Sequence, residues 1–194
     1  MTEPTGWNAL LRDQIEWHWE HHVRPRFAGL TDEEYFWEPA PGSWSVRPRG
    51  TGAAPMQLGA GEMTWDVEIP EPEPAPVTTI AWRLGHVIVG VLGMRNASHF
   101  GRDPVTERTH TYAATAAEAL AQLEAEYATW VAGVTALGDD GLQRPCGPAE
   151  GPFAEYPMSA LVLHIHRELI HHLSEVCLLR DLYQHTHATT GASA

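Results

Sequence analysis

The chain has 194 residues and 43% of them are hydrophobic, which suits one domain with a real core and excludes wholesale disorder. Acidic residues outnumber basic ones 25 to 12, giving a formal charge of −13, and every basic residue is Arg. An acidic surface repels phosphate backbones and anionic lipid, so no nucleic acid and no membrane is expected as a partner.

No apolar run reaches the roughly 18 residues of a membrane span, and no signal-peptide core follows Met1, so a cytoplasmic protein is expected. Cys146 and Cys177 have neither the spacing of a zinc ribbon nor the numbers of a disulfide framework. Residues 7–27 read as a helix, because Leu10, Leu11, Ile15, Trp19 and Val23 recur at helical spacing. Thr31-Asp-Glu-Glu then starts a short helical turn with a capping-box pattern. Residues 47–77 form a long loop punctuated by Pro and Gly. Within it "EMTWDVEI" alternates enough for one short strand, able to pair with "SWSV" or "APMQL". Loops this long are often covers, and Trp44, Met56 and Trp65 give this one something to bury.

Residues 79–99 form a second helix with Gly85, Gly90 and Gly93 in it. These weaken its propensity but allow a close neighbour or ligand. Thr115 and Glu118 make a capping box that opens a third, Ala-rich helix running to about Leu137. A second long loop covers 138–157. Pro157 or Ser159 opens a fourth helix, ending near Tyr183, and 185–194 reads as a flexible tail. The expected fold is therefore all-α: one four-helix bundle over 1–184, with long irregular loops and room for a short β-hairpin.

The twelve His residues are the feature that needs a chemical explanation. On a helical wheel of the fourth helix, His164, Glu168, His171, His172 and Glu175 fall on one stripe about 100° wide. A solvated face more often carries Glu, Lys, Arg and Gln. Imidazole and carboxylate one turn apart chelate a divalent metal from a helix, and Glu168 and His172 are such an i, i+4 pair. A third ligand must come from another helix. His86 is the candidate, with a hydrogen-bonded core histidine as the alternative. His18 and His22 on the first helix, with His21 between them, form a rival pair that spacing alone does not reject. The other half of the fourth helix is apolar, through Val162, Leu163, Leu169, Ile170, Leu173, Val176 and Cys177. If the metal stripe points inward, that half needs a cover, which motivates a homodimer through this helix.

The segments "WHWEHHVRPRFAGLTDEEYFWEPAPGSWSVRP", "AWRLGHV" and "HIHRELIHHLSEVCLLRDLY" resemble the DinB-like superfamily of four-helix metal proteins. The resemblance is nearest to the N-terminal domain of the mycothiol-dependent maleylpyruvate isomerase and its uncharacterised actinobacterial relatives. It implies a divalent metal held by His86, Glu168 and His172, since the family places one His on its second helix and an H-x-x-x-H or E-x-x-x-H pair on its fourth. The isomerase carries a further C-terminal domain for its own reaction, so the expectation is metal-dependent thiol chemistry rather than maleylpyruvate isomerisation.

Two imidazoles and a carboxylate leave positions open at a metal, as catalytic zinc sites do; nickel, iron and manganese also suit these ligands. A thiol bound there loses its proton, and the thiolate is the nucleophile. The function expected is that of a zinc-dependent S-transferase activating a low-molecular-weight thiol, mycothiol by resemblance, against a small electrophile. A non-catalytic metal-binding stress protein and a metal-dependent hydrolase stand as alternatives. His164, His171, Glu175 and Arg83 are candidates for orienting the ligands or moving protons. Trp44, just before the covering loop, and Trp65, within it, are candidates for the pocket wall.

Overall fold

Leu11, Ile15, Trp19 and Val23 are all buried, so the stripe seen in the sequence is the inward face of the first helix. The structure, a computed structural model, describes residues 6–188. Helix α1 occupies residues 7–27, α-helical at Trp7–His18, π-helical at Trp19–Val23 and α-helical again at Arg24–Phe27. Helix α2 is the short Asp32–Phe36. Its capping box is complete: Thr31 Oγ1 accepts from the Glu34 amide, and the Thr31 amide donates to Glu34 Oε2.

Three strands follow, β1 (Val46–Pro48), β2 (Met56–Leu58) and β3 (Met63–Val67). They form an antiparallel sheet in the order β1-β3-β2. The expected hairpin is thus a three-stranded sheet, because both candidate partners of "EMTWDVEI" pair with it, one on each edge. Val46 and Leu58 both lie opposite Trp65. Asp66 is fully buried and its carboxylate accepts from the Ser45 amide, so the loop is a folded cover.

Helix α3 spans residues 80–99: α-helical at Ile80–His86, π-helical at Val87–Gly93, and α-helical at Met94–His99. Thr79 caps it by accepting from the Trp82 amide. Helix α4 is Ala116–Leu142, capped by Thr115 as the sequence pattern indicates. Gly138 breaks its geometry with φ 59°, which is where the Ala-rich pattern ends, and one further turn follows. The expected loop over 138–157 therefore holds that turn and a 3₁₀ segment, Pro148–Phe153.

Helix α5 is Met158–Ala188. It continues through His185 and His187, beyond the expected end, and the rest of the expected tail lies outside the described residues. Val162, Leu169, Leu173 and Val176 have no exposure at all. The apolar half that motivated a dimer is therefore covered by the chain itself, Leu163 being its exposed member. His166, also on that half, is buried at 1% exposure against Trp130. The His/Glu stripe opens outward instead, with only His172 buried.

Candidate metal centre

Two helices and the covering sheet meet at His86. Trp82, one turn earlier on α3, donates from its indole Nε1 to the Asp66 carbonyl (2.8 Å), and the Trp65 indole donates to the Trp82 carbonyl. The rings of Trp65 and Trp82 stack at 4.8 Å, and Trp82 stacks on His86 at 5.7 Å. Gly85 permits this, since a Cβ there would stand 3.2 Å from Trp65 and 3.1 Å from Tyr112. Trp65 and Trp44 are both buried, but it is Trp82 that faces the imidazole. The sequence reading passed over Trp82, although its i, i+4 relation to His86 was the available signal.

From the other side, α5 brings His172 against His86, with ring centroids 4.7 Å apart and planes nearly perpendicular. His86 makes no hydrogen bond among the described residues, and its environment pushes its pKa down to about 4. Burial is the largest cause, followed by the neighbouring His172 and Arg83. The ring is thus neutral at physiological pH, the form that binds a metal. A core histidine with satisfied nitrogens, the alternative for this residue, is not what the structure contains.

His172 lies between two carboxylates. Its Nδ1 lies 2.8 Å from Glu175 Oε2, and its Nε2 lies 3.4 Å from Glu168 Oε2. A carboxylate can only accept, so Nδ1 donates to Glu175 and Nε2 presents its lone pair on the Glu168 side. Glu175 is itself fixed by an ion pair with Arg83 Nε at 3.3 Å. Arg83, Glu175 and His172 form the carboxylate–histidine arrangement that orients a metal-ligating imidazole. Burial raises the Glu168 carboxyl, but Arg167, His164 and His172 together hold it below the usual carboxylate range. His164 Nδ1 is 3.5 Å from Glu168 Oε1 and accepts from Arg167 at 2.6 Å.

The structure also groups His172 differently. The ligand atoms of His171, His172 and Glu175 all lie within 4.8 Å of one another, and this is the one such group of three among the described residues. The sequence reading had placed His171 and Glu175 around the metal rather than on it. His172 therefore sits in this cluster as well as in the set expected with His86 and Glu168. His18 and His22 have ring centroids 5.5 Å apart and join no third ligand among the described residues.

The family model of the DinB superfamily matches residues 60–176, more than half of the chain. The chain belongs to the DinB superfamily. No curated protein and no solved structure is significantly similar to it. The matched stretch runs from the covering sheet to the end of the His/Glu stripe and so contains His86, Glu168, His172 and Glu175. DinB proteins often bind metal, and the His/Glu cluster on α5 could hold a metal ion.

Proposed function

We propose that this DinB protein is a metal-dependent thiol transferase, with zinc as the metal and a low-molecular-weight thiol such as mycothiol as the nucleophile. His86, Glu168 and His172 would hold the metal. The observation that carries this reading is the half-buried His86 ring, without a hydrogen bond among the described residues, facing a His172 whose other nitrogen is already held by Glu175. The rival set depends on His171, whose side chain is 63% exposed. It also draws every ligand from one helix, so nothing across the bundle closes it.

When bound, the metal supplies the acidity that keeps a thiol as thiolate at neutral pH. The residues of the chain supply the rest. Arg83 and Glu175 fix the His172 ring, and Trp82 closes one side of His86 against water. His164 and Arg167 stand on the open side of Glu168, where a proton leaving the thiol passes to solvent water. The sulfur then attacks the electrophilic carbon and the leaving group departs to the open side.

The test uses the metal-loaded protein with mycothiol and monochlorobimane, following formation of the fluorescent thioether. The reading expects metal- and thiol-dependent turnover that His172→Ala abolishes while circular dichroism shows the fold retained. Bound metal without thiol-dependent turnover overturns the transferase assignment and leaves a metal-binding protein. Metal-dependent ester cleavage without thiol would make it a hydrolase.

A further inference from the structure

We infer that the groove between α3 and α5 continues past the metal centre into a subsite for a small organic carboxylate with an apolar body. This deepens the thiol-transferase reading by giving the class of its acceptor substrate, and only the word substrate rests on that reading.

The two helices run in opposite directions here. His86 faces His172, and further along Arg95 and His164 line one cavity of about 430 Å³. That volume lies in the range of small-molecule sites. The metal centre and the cavity are joined on both walls. On α3, the Arg95 guanidinium folds back to donate to the Gly90 carbonyl at 3.1 Å, and a Cβ on Gly90 would stand 3.3 Å from His86 Nδ1. On α5, His164 and Arg167 both lie within 3.5 Å of Glu168 Oε1.

Charge at this cavity is opposite to that of the whole chain. Arg95 and Arg167 are two of only twelve basic residues in a protein of net charge −13, and both line it. Glu150 is the one acidic residue in the wall; its Oε1 lies 2.9 Å from His99 Nε2 and its Oε2 makes a looser ion pair with Arg95. Arg95 is incompletely used: its Nε has no hydrogen-bond partner, and its NH2 stands 3.6 Å from Glu150, too far for a hydrogen bond. A guanidinium with unused donors matches a planar carboxylate, which accepts two parallel N–H bonds. Opposite these groups the wall is apolar, from Leu161, Phe153 and Tyr156. The two aromatic rings meet edge to face at 5.6 Å and are 60% and 55% exposed. The 3₁₀ segment that carries Phe153 thus leaves a large apolar surface uncovered beside a cationic one, which suits a ligand with an acid at one end and a ring or short chain at the other.

Phenylacetate and its neutral isostere phenylacetamide test the subsite. Binding is measured by titration calorimetry and protein NMR on the full chain, both metal-stripped and metal-loaded. The acid is expected to bind at least about tenfold more tightly than the amide in both forms. Arg95→Gln and Arg167→Gln are each expected to erase that preference. Arg167 is mostly exposed, so its variant reads out the subsite even if Arg95→Gln unfolds. Equal binding of acid and amide, or no saturable binding, overturns the inference. Binding only to the metal-loaded protein, with both arginine variants unaffected, puts the carboxylate on the metal and overturns it too. Acid-selective binding to a protein that never retains metal would uphold the subsite while the transferase reading falls.

Discussion

His172 has its ring fixed on one side by a 2.8 Å hydrogen bond to Glu175, itself paired with Arg83. Removing the charge from that acceptor leaves the ligand set intact but frees the ring. Glu175→Gln is therefore expected to weaken zinc binding by about 10–100-fold, the usual effect of losing an orienting partner, without unfolding the protein. Competition with a chromophoric chelator measures this, and unchanged affinity would remove Glu175 from the site. His166 is a separate case of the same residue type. Both its nitrogens are buried without partners, and burial drives its pKa down to about 4. In the unfolded chain the ring takes a proton near pH 6.5 and in the folded protein it does not. Its stabilisation is complete above about pH 6.5, falls as the pH drops, and is lost by about pH 4, a loss of about 3 kcal/mol. His166→Phe is expected to flatten the urea-measured stability curve across that window. A slope that survives the substitution would mean that other groups set it.

At the scale of elements, the buried pair between Glu34 on α2 and Arg180 on α5 does the joining, at 2.9 Å with side-chain exposures of 5% and 11%. Arg180 also donates to the carbonyl of Ala28 and thereby ties down the turn between α1 and α2. Arg180→Leu leaves the buried Glu34 charge without its counter-charge, though still hydrogen-bonded by Thr31 and Gln184, and is expected to cost about 3 kcal/mol in chemical denaturation. A cost below about 1 kcal/mol would show that Glu34 is as well solvated without its partner. The four long helices were legible because each buries one stripe at helical period, and the residues spell out the caps of α4 at Thr115 and of the short α2 at Thr31. The His/Glu face of α5 was legible for the same reason: period 3.6 puts His164, Glu168, His171, His172 and Glu175 together whatever lies opposite. What lies opposite was not. Trp82 against His86, and Arg95 against His164, depend on how α3 is rotated, and the π-helical turn at Val87–Gly93 shifts that rotation without any mark in the hydrophobic pattern. The third strand was hidden because "SWSV" and "APMQL" were weighed as rivals, whereas β3 has two edges and uses both. The inward face of α5 was hidden in the same way, since the wheel shows that α5 has two faces but not which one the bundle covers.

For the molecule as a whole, the formal charge of −13 is spread over a surface holding few basic residues to offset it. Self-repulsion of that kind is long-ranged, whereas the exposed ion pairs that salt also screens are each worth little. Raising the ionic strength from about 0.01 M to about 0.15 M shortens the screening length from about 30 Å to about 8 Å, so the thermal midpoint of the metal-free protein is expected to rise. A midpoint that falls would show that ion pairs such as Arg24–Glu124 outweigh the net charge. The groove inferred between the two helices has imidazoles and carboxylates at one end and guanidinium groups with aromatic rings at the other. The reading of that groove begins with where the metal sits. Elemental analysis of the purified protein, with His86→Ala and His171→Ala prepared alongside, tests this most directly. The expected result is one zinc per chain in the parent protein and in His171→Ala, and none in His86→Ala. Full metal in His86→Ala together with its loss from His171→Ala would contradict it and move the ion to the outer face of α5.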